Sequence, residues 1–376
     1  MQDKRINITY IISDIDKALA FEWIAQELDQ QKFQLSFILL NKNQGCFLEN
    51  WLKERNFPVF YVHYAGKKQL WSSFWKVRSI LKKLKTQVVH CHLFDASLIG
   101  LLVAKSLGIK NRIFTRHYST FHHEYFPRAV YYDKFINSLA TDIVAISQNV
   151  QNVLVQKEGV PIKKVHLIHH GFKLELFRDV PPEKILHLKQ KYNLDEKYPV
   201  VGIIARWTHW KGIQYIIPAF KSLLNQYPHA HLVLANAHGD YTQEIRQLLA
   251  DIPSSHYTEI RFEQDLTALY KTFDVYVHTP INAEVEAFGQ TYVEALASNI
   301  PSVFTLSGVA NEFIQHEQNA LVVNYQDSNA ISTSIFRLLN DKALQKNIQS
   351  NTQKSISSLF DLSIMIHLLS NLYLSK

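Results

Sequence analysis

Two doubly wound α/β domains in tandem are predicted for this chain, on three observations. Apolar, β-rich runs alternate with helical patterns along most of the 376 residues, the rhythm of parallel strands joined by crossover helices. That rhythm pauses once, at residues 178–198, where Pro181-Pro182, many charges and a polar helix have the composition of a domain connection. It then starts again, and 376 residues with 47% hydrophobic and 19% charged content suffice for two cores.

Taken in order, first-half strands are expected at residues 5–12, 33–40, 59–62, 88–91, 112–115, 142–146 and 165–169, each a short apolar run rich in β-forming residues. Helical patterns lie between them, at about 17–30, 47–55, 70–85, 95–107, 128–139 and 148–158. In the third of these, Leu70, Phe74, Val77, Leu81 and Leu84 recur at helical spacing and should pack on the sheet. The second series has strands at 199–205, 231–235, 259–262, 275–278, 302–305 and 320–323. Its helices are expected at about 211–226, 241–250, 265–272, 289–298, 309–315 and 328–340. Residues 360–373 read as a helix returning to the first domain, so the expected domains are 1–178 with 356–376, and 199–355. Ligands of such folds bind outside the carboxyl ends of strands, which gives weight to residues that follow strands.

Composition excludes several classes. Eleven glycines and eleven prolines rule out collagen-like and low-complexity chains. Two cysteines, Cys46 and Cys91, cannot make a disulfide framework or a Cys-rich zinc site and suit a reducing compartment, so a cytoplasmic location is expected. Asp3, Lys4 and Arg5 precede an apolar run that stops at Ser13-Asp14, too short for a signal peptide, and no stretch approaches 18 apolar residues, so no membrane span is expected. Net charge is +7, but residues 1–198 hold 29 basic and 18 acidic side chains, net +11, against 11 and 15, net −4, in 199–376. One half should therefore face something anionic: nucleic acid, a phosphorylated acceptor or a membrane surface. Between Glu54 and Asp95 there is no acidic residue, while Lys67, Lys68, Lys76, Arg78, Lys82, Lys83 and Lys85 crowd a helix with Trp71 and Trp75 on its flank. That segment suits an anionic membrane surface, or else is a solvated basic helix with its aromatics in the core.

The densest chemical signal is Glu286-Ala-Phe-Gly-Gln-Thr-Tyr-Val-Glu294. Gly289 stands where a helix should begin, so free amide N–H groups and the positive dipole end can hold a phosphate. Glu294, two turns along, can accept from a ribose diol, and Glu286, just before the helix, can read sugar hydroxyls. The competing reading is an amphipathic helix with two surface glutamates. The second signal, Arg206-Trp-Thr-His-Trp-Lys211-Gly212, follows a strand directly. Two exposed cations there can clamp a diphosphate and stabilise the charge developing on it, or they simply solubilise a loop. His117 follows the strand at 112–115. His90-Cys91-His92 puts two imidazoles on one strand face, but spacing identifies no third ligand and no metal is expected. His122-His123-Glu124 and His169-His170 are treated the same way.

In their order and separation these two signals resemble the retaining nucleotide-sugar glycosyltransferases of family 4, which have the GT-B fold. The resemblance covers nearly the whole chain and is clearest over 142–325. It is supported by Ile143-Val-Ala-Ile-Ser147, by Lys164-Val-His-Leu-Ile-His-His170-Gly171 with Phe177 beyond, and by Asp274-Val-Tyr-Val-His-Thr-Pro280. It implies two Rossmann-like domains with an interdomain cleft, Arg206 and Lys211 on the donor diphosphate, Glu294 on the ribose and Glu286 facing the transferred sugar. It further implies that the amides around Phe288, Gly289 and Gln290 cap the phosphate end, that His117 reaches the donor sugar, and that His170-Gly171 occupies the family's Asn-Gly position. The implied activity is metal-independent transfer, with retention, from a UDP- or GDP-sugar to a glycan or lipid-linked acceptor in cell-surface polysaccharide synthesis. The nucleotide sugar is a co-substrate, no other cofactor is implied, and the expected place is the cytoplasm or the inner membrane face. The chain departs from the family in having Ser13-Asp-Ile-Asp-Lys17 for a Gly-rich turn, and Ala205, Asn236 and Asn299 where Gly is common. Asn tolerates positive φ, so the last two should keep their turns. The rival readings are another GT-B enzyme, such as a sugar epimerase or phosphorylase, and a basic nucleic-acid-binding protein; no recognisable nucleic-acid module supports the latter.

Overall fold

The computed structural model describes residues 5–375; Asp3 and Lys4, at the head of the first apolar run, and Lys376 lie outside the described residues. The chain divides into two units, one formed by residues up to Phe172 together with those from Leu362 onward, the other by Lys173–Asp361.

The first unit is built on β1 (Ile6–Ser13), β2 (Phe33–Asn41), β3 (Val59–His63), β4 (Val88–His92), β5 (Asn111–Arg116), β6 (Asp142–Ala145) and β7 (Val165–Leu167). All pair in parallel in the order β3-β2-β1-β4-β5-β6-β7. The central β1 reads as a near-continuous apolar run because helices cover both faces of a parallel sheet, and Ile8, Tyr10, Ile11 and Ile12 are fully buried. The chain winds outward from β1 to β3 and crosses back to β4, so the carboxyl ends of β1 and β4 flank a topological switch point. The helix Leu362–Leu374 closes this unit. Leu362 donates its N–H to the Phe172 carbonyl at 3.0 Å, and position 171 must be glycine because a Cβ there would lie 2.8 Å from Leu362 Cα. At the other end, the Tyr373 hydroxyl sits 2.5 Å from that of Tyr10 and 2.7 Å from His90 Nδ1.

The second unit has β8 (Val200–Ile204), β9 (His231–Ala235), β10 (Tyr257–Ile260), β11 (Val275–His278), β12 (Ser302–Phe304) and β13 (Leu321–Val322), parallel in the order β10-β9-β8-β11-β12-β13. Val201 and Ile203 of β8 pack in one core with Ile213, Ile216 and Phe220 of the helix Ile213–Leu223 and Ile331 and Ile335 of the helix Ser328–Asn340. Here the switch point lies between β8 and β11. Residues 173–198 contribute the helices Glu175–Arg178 and Pro182–Lys191 to this unit. The third strand falls at Tyr257–Ile260, two residues before the expected start, because pairing of Tyr257 with Leu232 of β9 carries Ile260 into the interior. Asn236 and Asn299 both sit at φ 58°, so they keep their turns as expected. The helix Lys342–Phe360, which the sequence reading did not identify, buries Leu344, Ile348, Thr352, Ile356 and Phe360, one residue every four. It ends before Asp361, so the returning helix begins at Leu362. Among the described residues no helix is long and apolar enough to cross a membrane.

Candidate active site

The switch point of the second sheet gathers the motif residues. Beyond β8, Trp207 is fully buried; its N–H donates to the His238 carbonyl at 2.9 Å, and its own carbonyl accepts from Tyr241 N–H at 2.9 Å. That anchor leaves the neighbouring Arg206 exposed at the carboxyl end of the strand, with no side-chain hydrogen bond or ion pair among the described residues. The chain then makes a single 3-10 turn, His209–Lys211, and enters the next helix through Gly212. Only glycine fits at 212, because φ is +73° and a Cβ would lie 1.8 Å from the Thr279 carbonyl oxygen. This close approach, with Ile281 N–H donating to the Trp210 carbonyl at 3.1 Å, ties the loop after β8 to the loop after β11.

The second loop is strapped down at several points. Asn282 Oδ1 accepts from the N–H groups of Glu284 and Val285, and Glu286 N–H donates to Ser307 Oγ at 3.2 Å. Gly308 N–H donates to the Ala283 carbonyl and Val309 N–H to that of Phe288. A side chain at Gly308 would collide with the Phe288 carbonyl at 2.7 Å and Glu286 Cβ at 2.9 Å. Gly289, at φ +86°, caps the helix Gln290–Ala297 as the sequence suggests; its carbonyl accepts from Tyr292 N–H at 3.1 Å, while the amides of Gln290 and Thr291 precede the helix's own acceptors.

These constraints bring Lys211 and Glu286 together. Lys211 Nζ lies 2.6 Å from Glu286 Oε1, with side chains only 18% and 10% exposed, so Lys211 is not the exposed loop cation expected from sequence. Nor is Glu286 a surface glutamate. Burial opposes its charge, but the Lys211 ammonium and His278, whose Nε2 is 3.4 Å away, outweigh that and hold the carboxyl well below the usual range. Burial lowers the pKa of His278, against the pull of Glu286. The hydroxyls of Thr208 and Thr279 are buried without hydrogen-bond partners in the same two loops. Glu294 stands apart from this pair. Burial pushes its pKa up to about 7, against the effect of the Tyr270 hydroxyl, which donates to Oε2 at 2.8 Å. Sequence reasoning missed His278, Ser307, Gly308 and Tyr270. His278 ends β11, Ser307 and Gly308 follow β12, and Tyr270 ends the helix Leu266–Tyr270; of these only His278 lay in a segment supporting the family resemblance, where it was given no role.

His117 belongs to the first unit, directly after β5. Its Nε2 is 3.1 Å from His92 Nδ1, and its ring stacks on His170 at 5.6 Å between centroids. Desolvation pushes His117 down to about 4 and His170 to about 3, so both present neutral imidazoles at physiological pH. The preceding residue, Arg116, is buried between Glu158, at 2.6 Å, and Asp133, at 3.3 Å, which anchors the segment that carries His117. His90 is engaged by Tyr373 and Thr115. Among the described residues no group of three or more His, Cys, Asp or Glu side chains is arranged to hold a metal ion.

Comparison with known proteins matches both halves of the chain. The family model described as Glycosyl transferases group 1 matches residues 185–355, and that described as Glycosyltransferase Family 4 matches residues 23–176. The Staphylococcus aureus capsular polysaccharide biosynthesis glycosyltransferase CapM is 25% identical over 312 residues, 80% of each chain. An uncharacterised glycosyltransferase of Methanocaldococcus jannaschii is 24% identical over 319 residues, 80% of this chain and 78% of the relative. Among solved structures, Anabaena HepE in complex with UDP-glucose shares the fold with a TM-score of 0.84 at 20% identity, over 99% of this chain and 100% of that one.

Proposed function

The chain belongs to the group 1 glycosyltransferases of family 4 and has their GT-B fold, and from that premise we propose that it is a retaining, metal-independent enzyme using a UDP- or GDP-hexose. The observation that carries the reading is the pairing of a free Arg206 with a buried Lys211–Glu286 pair at the switch point of the second sheet, beside a glycine-capped helix N-terminus. Arg206 and Lys211 hold the donor diphosphate, and the amides around Phe288, Gly289 and Gln290 cap its distal phosphate. Glu294 accepts from the ribose and Glu286 from the sugar. His117, a neutral donor or acceptor, is assigned to the donor sugar by the family resemblance.

In the reaction the bond between the anomeric carbon and the diphosphate oxygen breaks as the acceptor oxygen attacks from the same face. The acceptor proton passes to the departing phosphate. The protein's contribution is positional and electrostatic, because fixed cations stabilise the charge that develops on the leaving group. The acceptor is a glycan or a lipid-linked sugar in cell-surface polysaccharide synthesis, reached in the cytoplasm or at the inner membrane face. The capsular relative and the basic first half of the chain support that assignment. Calorimetry with UDP, GDP and their sugars, followed by product analysis of anomeric configuration, tests the proposal. Failure of every nucleotide to bind would refute it.

A further inference from the structure

We propose that the first unit carries a membrane-docking face assembled from two separate segments, residues 67–83 and 121–135, whose occupant is the surface of an anionic phospholipid bilayer. This rests on the membrane-side acceptor reading above and adds the face that would serve it. The helix Leu70–Lys83 turns Val77 and Leu81 inward, leaving Trp71 70% and Trp75 61% exposed one turn apart on its outer side. Trp71 and Trp75 are therefore not core residues, while Phe74 is half-buried between them. The second segment, of which sequence reasoning weighed only His122-His123-Glu124, does the same. The helix Ala129–Leu139 buries Ile136 and Leu139, while Tyr131 is 76% exposed and Phe126, Tyr132 and Phe135 are also in solvent.

The two segments adjoin. Lys67 Nζ lies 5.9 Å from the Tyr132 ring centroid, and Tyr132 meets Phe94 edge-on at 6.5 Å, where Phe94 opens the helix Phe94–Ser106 that packs against both outer helices. Among the described residues, eight of the twelve exposed large aromatics fall between Trp71 and Phe135, a concentration that soluble surfaces rarely leave uncovered. Tryptophan and tyrosine are the residues that settle at headgroup depth, with an apolar ring and a polar edge. Charge selects the kind of surface. Lys67, Lys68, Lys82, Lys83, Arg128 and Lys134 are exposed in these segments, and the one exposed carboxylate there is Glu124, Asp133 being buried against Arg116. The aromatic parts of both segments follow β3 and β5, so they lie at the carboxyl edge of the sheet, the edge that carries His117. A bilayer held there presents acceptor headgroups where doubly wound folds bind ligands.

The test is sedimentation of the full chain with phosphatidylcholine vesicles, with and without about one-third phosphatidylglycerol, at low and high ionic strength. The parent should bind only the anionic vesicles. Trp71→Ala/Tyr131→Ala should lower partitioning by roughly tenfold or more. Lys67→Gln/Lys68→Gln/Lys82→Gln should lower it by roughly a hundredfold at low salt, a difference that fades at high salt. Both variants alter exposed side chains and should keep parental calorimetry with UDP, which separates this inference from the transferase reading. A parent that binds UDP but ignores anionic vesicles overturns the docking face alone. So does parental partitioning by the Trp71/Tyr131 variant, or a dimer that this variant dissociates, which would give the face to a second copy.

Discussion

Replacing Lys211 by alanine should destabilise the second unit by about 3 kcal/mol at neutral pH, quite apart from its effect on turnover. The pair is short, at 2.6 Å, and both side chains are largely out of water. Removing one member of a buried pair leaves the other charge desolvated and uncompensated, which costs roughly 3–5 kcal/mol. His278, 3.4 Å from Glu286, and the residual exposure of Lys211 place this case at the low end. For Lys173–Asp361, 189 residues, that is a fall of roughly 6–12 °C in the midpoint of this unit. The pH dependence has a definite sign. In the parent the folded-state pKa of Glu286 is depressed, so the pair's contribution is full above the unfolded value of 4.5 and is lost as pH falls toward the folded value. In the variant, burial without the ammonium favours the neutral acid, whose protonation relieves the penalty. The gap between parent and variant should therefore be widest above about pH 6 and narrow toward about pH 4.5. Urea unfolding followed by tryptophan fluorescence at both pH values measures it. A loss under about 0.5 kcal/mol, or an equal loss at both pH values, refutes the argument.

Arg206→Ala should leave stability within about 0.5 kcal/mol of the parent, since the side chain is exposed, yet slow transfer by roughly 100-fold. Initial rates beside a thermal melt check the separation. Glu294→Gln should weaken nucleotide binding in calorimetry. Because burial raises Glu294 from 4.5 to about 7, the carboxyl destabilises the folded parent progressively as pH rises from 4.5 through about 7, so the variant should melt higher than the parent near pH 8 and alike only below about pH 4. Gly212→Ala should cost at least about 2 kcal/mol in urea unfolding, because the new Cβ meets the Thr279 carbonyl at a residue with positive φ. Turnover should survive chelation by EDTA, since the groups proposed to hold the diphosphate are cations and helix amides; loss restored only by Mn²⁺ or Mg²⁺ would point to a different catalytic class.

Much of the architecture was legible in the sequence because local rules suffice for it. Apolar runs alternating with helical spacing specify parallel strands and crossovers, and Gly289 announces a helix entry that needs positive φ. The helix Lys342–Phe360 escaped because its apolar stripe is one residue wide, and the position of β10 because a short strand takes its register from its neighbour. The types and order of Arg206, Lys211, Glu286 and Glu294 were likewise legible in the sequence. Their electrostatic states were not. Only the folded chain brings Lys211 against Glu286 across 75 positions, sets His278 behind them and encloses Glu294 beside Tyr270, and desolvation depends on those distant neighbours rather than on the motif. The basic helix shows the same division. Its spacing chose the face that packs, but whether Trp71 and Trp75 were covered depended on the helices laid beside it, and the exposed aromatics of 121–135 became part of the same surface only through tertiary packing.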